Sequence, residues 1–355
     1  MSTATTDTAR SAVLKLRVRF IVIILILSAM SVFIVLLALS YGAVSIPIRQ
    51  VWEILWLHMW SHRSSSSSGD SIIWQIRAPR VALGFLVGAA LSLVGVCVQA
   101  LVRNPIADPY VLGVESGGAT AAVIVMYLAR VGASTAGFTP TAAAFVGCLA
   151  TLVAVFGLAR KNGRIITTRL LLVGVALSFA LSGITQFILY MSPNPAAVQS
   201  MSFWTLGGLG GAVWSEIPLA TLILIATFIA LRFHSRALNA LAMGDASATA
   251  VGIHPDRTRV RLLIISSLSV AAVIPIAGPI GFVGLVVPHA GRMIFGTEHS
   301  KLMPGVALLG GTYLVLVDLV GRYIFAPLDI PLGVMTAILG TPAFLWLLRK
   351  QKWGQ

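Results

Sequence analysis

"RAPRVALGFLVGAALSLVGVCVQALVRNPIADPYVLGV", residues Arg77 to Val114, decides the fold. Arg80 and Arg103 bracket an apolar run without a single charge. About 20 such residues, as helix, cross the hydrocarbon core of a bilayer, so a span is expected over 81–101. Beyond it, Pro105 and Pro109 forbid a continuous helix. Gly113, Gly117 and Gly118 then allow close packing or a hinge as the next apolar run begins. Irregular backbone near membrane depth is tolerated only where it is packed in protein or lines a cavity. The turn is therefore either a tight structural link or the mouth of a pathway.

The same alternation runs along the whole chain. Of 355 residues, 57% are hydrophobic and only 10% charged, with mean hydropathy +0.94. A soluble domain carries roughly 25% charged residues, so a water-soluble globule is excluded. The alternating ten-residue segments of a membrane barrel are absent. The chain reads as an all-α polytopic membrane protein with ten transmembrane helices, over 20–41, 81–101, 113–129, 140–159, 170–190, 215–231, 261–277, 281–295, 304–324 and 332–348.

The net charge is +14. The cations sit in short loops, so they report topology rather than a nucleic-acid partner. Basic tails at 1–19 (Arg10, Lys15, Arg17, Arg19) and 349–355 (Arg349, Lys350, Lys352) put both termini in the cytoplasm, as an even span count requires. Of the 25 Lys and Arg, only Arg49, Arg63, Arg77, Arg80, Arg130 and Arg322 then lie outside. The run Phe20 to Leu39 is long for a signal-peptide core and no cleavage site follows, so the first helix is read as uncleaved. The transmembrane domain is 20–348, with an outer loop at 42–80 and a cytoplasmic loop at 232–260. Ser64 to Ser68 reads as a flexible linker. Gly84, Gly88 and Ser92, spaced by four, suit close helix approach. Cys97 and Cys148 fall inside apolar runs and read as small packing residues.

No catalytic constellation is present. There is no GxxxxGK[ST] phosphate loop, HExxH or CxxC. His58 and His62 have metal-compatible i,i+4 spacing, but incidental histidines in a wet loop are the preferred reading. His289 lacks a second ligand, and a structural hydrogen bond is preferred for it. Two further stretches stand out. In "WQIRAPR", Arg77 and Arg80 are three apart, and Arg322 shares their side of the membrane. They are either snorkelling interfacial arginines or a basic rim that pairs with a partner's carboxylates. In "RALNALAMGDASATAVGIHPDRTR", Asn239 to Val251 suits a short helix broken at Gly244 and stopped by Gly252 to Pro255. It is either an ordinary loop or a docking element.

Together these stretches resemble the iron-chelate and cobalamin permease family of ABC importers, the FecCD-like type II importers, over roughly 70–350. The opening segment, "LAMGDASATAVGI", "GPIGFVGLVVPHAGRMIFGTEHSKLMP" and "VDLVGRYIFAPLDIPLGVMTAILGTPAFLWLL" carry the likeness in the family's order. The resemblance implies a type II ABC importer permease fold and a homodimer with its path at the dimer axis. It implies two cytoplasmic ATPase subunits, which would hold the ATP and Mg, and an extracytoplasmic substrate-binding protein. No cofactor or metal is expected in this chain. By position, Arg77, Arg80 and Arg322 match residues that dock the binding protein. Ala240, Leu241, Met243, Gly244, Asp245, Ala248, Val251 and Gly252 match the element coupling to the ATPase. Asn104, Pro105 and Ile106 match an inner gate, joined by Thr167 and Thr168. Asp329 stands where the family usually has Glu. The expected cargo is an iron chelate, ferric siderophore or haem, with cobalamin as the alternative. The expected location is the bacterial cytoplasmic membrane.

A secondary transporter would need intramembrane carboxylates placed as ion sites. Asp318 is the clear candidate within a span, and pairing with a nearby arginine or hydroxyl is its preferred role. A membrane-embedded enzyme would need an acid, base or metal cluster that the sequence lacks.

Overall fold

Proline and glycine punctuate an almost wholly helical chain. The computed structural model describes residues 3–61, 69–135, 137–161, 164–192 and 194–350. The Ser64–Ser68 run, His62, Arg63 and Lys352 lie outside the described residues. In order, the helices are α1 Thr3–Ser40, α2 Ile48–Trp56, α3 Gly69–Ser71, α4 Ala78–Val102, α5 Val114–Arg130, α6 Pro140–Ala159, α7 Thr167–Met191 and α8 Pro195–Thr205. There follow α9 Ile217–Phe233, α10 Ser235–Ala242, α11 Asp245–Ala250, α12 Pro255–Ala277, α13 Val283–Phe295, α14 His299–Ile324 and α15 Leu332–Lys350. A two-residue antiparallel pair, Arg160–Lys161 with Arg164–Ile165, closes the α6–α7 connection.

Each of the ten expected spans falls on a helix. Among the described residues, seven stretches are long and apolar enough to cross a membrane, the longest of them Gly69–Val102. Helices α5, with 17 residues, and α13, with 13, are shorter because irregular backbone precedes each of them. Prolines open α6, α8, α9 and α12 at the first or second helical position, where the missing N–H would have no intrahelical partner.

Two expectations are corrected here. The outer segment 42–80 is largely ordered helix. It holds α2, a π-helical extension Leu57–Ser61, and a π-helical turn Ile72–Arg77 that joins α3 to α4. His58 is no incidental loop residue: its Nε2 lies 2.9 Å from Asp70, and its ring stacks on Trp74 at 4.4 Å. Helix α8 was not foreseen.

Helix α4 is the axis of the bundle. Of its membrane window 83% is buried, against 17% for α1 and 11% for α7. A helix apolar all round has no face to offer water and belongs inside. Lipid gives no hydrophobic drive between helices, so close contact of small residues must hold them. That is what the glycines do. A Cβ on Gly88 would come within 2.3 Å of the Gly310 carbonyl on α14, and one on Gly95 within 2.0 Å of the Gly284 carbonyl on α13. Cys97 and Cys148 are free and buried in the core.

Candidate functional site

Irregular backbone at the Arg103 end of α4 builds a cleft. Arg103 ends α4 in the left-handed region, φ 53. The turn is then held by its own polar groups. Asn104 Oδ1 accepts from the Ile106 amide at 3.1 Å, and Asp108 Oδ1 from the Tyr110 amide at 2.8 Å. Gly113, at φ 70, opens α5. Gly117 and Gly118 pack against α6, where a Cβ would meet Thr151 and Cys148. These two glycines are packing positions.

Two other breaks meet this turn. The chain leaving α8 donates Gly208 N–H to the Ala277 carbonyl, while the Gly207 carbonyl accepts from Leu332 N–H, both at 2.9 Å. Between α12 and α13, Tyr110 OH donates to the Ile280 carbonyl at 3.1 Å and accepts from the Ile280 amide at 3.0 Å. Phe282 then adopts φ 66. Arg103 and Phe282 are the non-glycine residues with positive φ among the described residues. Such strain persists where surrounding structure enforces it, and it clusters at ligand clamps and switches.

These segments line an open cleft of ≈ 730 Å³ bordered by Asn104, Ile106, Asp108, Tyr110, Glu115, Thr205, Leu206, Pro279, Phe282 and Gly333, among others. A second cavity of ≈ 230 Å³ shares Glu115, Thr205, Leu206 and Pro279 with it and continues past Ser182, Thr185 and Gln186. The result is a weakly polar tract between α5, α7 and α8, with Glu115 where the two cavities join. Expected gate residues Asn104 and Ile106 line the cleft, and Pro105 shapes the turn. Thr167 and Thr168 open α7 and are not among its lining residues. Tyr110, Glu115 and Phe282 were missed. Tyr110 and Glu115 lay in plain view, but nothing in sequence spacing brings residue 110 to residue 280.

At the same end, α10 and α11 form a bent, partly exposed element. Gly244 breaks it at φ 118, and Gly252 stops it at φ 79, just before Pro255 opens α12. Leu241 and Ala248 anchor it in the core, while Met243 is 78% exposed and Val251 67%. Ala240 packs against the same core. Asp245 ties the element to the turn. Its Oδ1 accepts from Arg259 Nη2 at 2.7 Å and lies 3.9 Å from Arg103, while Arg259 Nε donates to the Leu101 carbonyl. The hydrogen bond from Arg259 holds the Asp245 carboxyl below its ordinary range.

At the opposite end, the three arginines expected at a rim are committed inside the chain. Arg77 Nη1 donates to the Leu39 and Ser40 carbonyls at 2.7 and 2.8 Å, and Nη2 donates to Val44. Arg322 Nη2 reaches the Ala38 carbonyl. Both therefore satisfy the orphan carbonyls that end α1. Arg80 binds Asp318 and Asp329, each at 2.8 Å, and Arg322 Nε binds Asp318 at 2.9 Å. The side chains of Arg80 and Arg322 are 10% and 11% exposed, and that of Asp318 is 3% exposed. Asp318 thus takes the pairing role preferred for it. His289 does not take its expected hydrogen bond: both ring nitrogens are buried without a partner among the described residues, and the ring lies edge-on to Phe344. Among the described residues no three His, Cys, Asp or Glu could hold a metal together.

Known proteins match this arrangement along nearly the whole chain. The family model described as the FecCD transport family matches residues 13–350. The hemin transport system permease protein HmuU of Yersinia pestis is 36% identical over 336 residues, covering 92% of this chain and 96% of that protein. The cobalamin import system permease protein BtuC of Halobacterium salinarum is 39% identical over 281 residues, covering 79% of this chain and 74% of that protein. A solved metal-chelate type ABC transporter in an inward-facing conformation superposes with TM-score 0.78 at 28% identity, covering 94% of this chain and all of that one.

Proposed function

The chain belongs to the FecCD transport family, and from that premise we propose that it moves a metal chelate through the tract described above, driven by a separate ATPase. It is a multi-pass membrane permease, a transport subunit rather than a catalyst. The proposed assembly is a homodimer of ten-helix subunits in the bacterial cytoplasmic membrane, with both termini cytoplasmic. Two ATPase subunits, holding ATP and Mg, sit below, and a substrate-binding protein sits above.

The observation that carries the reading is the link from α10–α11 through Asp245 to Arg103 and Arg259, at the turn whose next residues line the cleft. Met243 and Val251 face outward from this element, offering a partner an apolar grip. Closure of the ATPase pair would push α10–α11. The turn 103–113 would follow, and Tyr110 would carry the motion to Ile280 and the strained Phe282. No proton donor or nucleophile is needed, because the work is done outside this chain.

The cargo is proposed to be an iron chelate, with haem favoured by the breadth of the match to the hemin permease. Cobalamin is the second reading, favoured by the cobalamin permease relative. Such bulky cargo suits a tract lined by Ser182, Thr185, Thr205 and Leu206, which a second subunit would complete. The docking role of Arg77, Arg80 and Arg322 is retained in altered form: they shape the upper face, and a binding-protein carboxylate would meet a network already balanced by Asp318 and Asp329.

Reconstitution tests this. Vesicles holding the permease, its ATPase and the binding protein should take up one of ferric siderophore, haem or cobalamin only with ATP. Uptake that continues without the ATPase would overturn the reading in favour of an ion-gradient carrier.

A further inference from the structure

At the Arg103 end, a cleft lies where α1, α13 and α14 meet. It has a volume of ≈ 290 Å³, and three cations line it: Arg19, Arg292 and Lys301. Each comes from a different helix. Arg19 and Arg292 have no carboxylate partner among the described residues. Arg292 donates to the amide oxygen of Gln99, a neutral partner. Lys301 pairs with Glu298 at 2.7 Å, but both side chains are about half exposed, so the pair is weak enough to share. Three cations around one small cleft, with one acid among them, leave unbalanced positive charge.

The rest of the wall is apolar. Phe20 and Phe295 meet edge to face at 5.9 Å, and Ile23 continues the surface. Met293, also in the wall, is 56% exposed. Arg19 stands near the start of the apolar stretch Arg17–Ser40, of whose membrane window only 17% is buried. The cleft therefore opens where a lipid-facing helix passes from charged to apolar, the level at which phospholipid phosphates lie.

We infer that this cleft binds the phosphate of an anionic phospholipid through Arg19, Arg292 and Lys301, with an acyl chain laid against Phe20 and Ile23. Basic pockets between membrane helices take anionic headgroups for this reason: the phosphate supplies acceptors and charge, and the chain keeps its apolar neighbours. The site would fasten the long α1 to α13 and α14 near the end where α10 and α11 pack. The inference needs only that the chain spans a bilayer.

The test is native mass spectrometry of the full chain in non-ionic detergent, titrated with phosphatidylglycerol or chain-matched phosphatidylcholine. Phosphatidylglycerol is expected to bind about tenfold more tightly. Arg19→Gln should lower that affinity about fivefold, from the worth of one interfacial cation, and Arg19→Gln with Lys301→Gln should lower it about tenfold, to the level of phosphatidylcholine. Phosphatidylcholine binding should not change. Arg19 has no ion-pair partner among the described residues, so the single variant is expected to fold even if the double variant does not. Equal binding of the two lipids, or an unchanged preference in Arg19→Gln, would overturn the site. Displacement of phosphatidylglycerol by inorganic phosphate at about 10 mM would also overturn it, because the acyl chain would then contribute nothing. None of these readouts depends on transport.

Discussion

Replacing Asp318 with Asn should unfold the upper face of the bundle before it alters any partner. Asp318 is 3% exposed and accepts from Arg80 and Arg322 at 2.8 and 2.9 Å. Arg80 keeps Asp329 in the variant, but that carboxylate is 42% exposed and binds Nη1 and Nη2, leaving Nε without its carboxylate. Arg322 keeps only the Ala38 carbonyl at 3.3 Å. Arg80 would then hold one half-exposed anion, and the nearly buried Arg322 would have no carboxylate partner among the described residues. Removing one partner of a buried ion pair costs about 3–5 kcal/mol. With the unfolding entropy of a chain this long, that is a fall in melting temperature of about 5 °C. Cys97 and Cys148 are buried and free, so a thiol-reactive fluorogenic dye reports unfolding directly. Replacing Arg80, Asp318, Arg322 and Asp329 together with apolar residues should recover much of the loss, since buried ion networks gain little over good packing. An Asp318→Asn variant that melts within about 1 °C of the parent would refute the burial argument and return the arginines to a free docking role.

Other perturbations separate the parts. Gly88→Leu should force α4 from α14, because even a Cβ would lie 2.3 Å from the Gly310 carbonyl. Overpacking costs at least about 1–3 kcal/mol, read as lower yield of folded protein and a lower melting temperature. Tyr110→Phe removes both hydrogen bonds to Ile280 and strands two backbone groups, costing about 1–3 kcal/mol each. ATP-driven uptake should fall while melting changes little more than that figure implies. Asp245 has a depressed pKa from its bond to Arg259. Its contribution is therefore fully present above the unfolded carboxylate value of about 3.9 and lost as pH falls through the lower folded value. Coupling through it should be flat from pH 8 to pH 5, and a drop in coupling centred near pH 6 would implicate another group.

The helices were legible because proline, glycine and charge punctuate apolar runs. Pro140 and Pro255 stand at helix starts, and Gly244 breaks the α10–α11 element where expected. Burial was not legible. Arg77, Arg80 and Arg322 break the charge bias of the loops, and that suggested exposed cations. The structure spends them on α1 carbonyls and on Asp318 and Asp329, contacts spanning up to 284 residues of sequence. The 191–216 connection hid α8, because eleven residues of mixed character make no span. The cleft was half legible. Asn104, Pro105 and Ile106 announced an irregular turn, but its partners at Leu206 and Ile280 come from distant breaks that local pattern does not join. Thr167 and Thr168 open α7 and are not among the residues that line the cleft.

The most direct test of the coupling route is the ratio of cargo moved to ATP hydrolysed by Asp245→Ala in the reconstituted complex. The variant loses the 2.7 Å bond to Arg259 and the 3.9 Å contact to Arg103, but keeps the exposed Met243 and Val251 for the ATPase. A charge-assisted bond is worth about 1.5–3 kcal/mol. Uptake should fall about tenfold or more while hydrolysis stays within about twofold of the parent. Uptake and hydrolysis that both remain at parental levels, or that fall in proportion, would contradict the route from α10–α11 through Asp245 to the cleft.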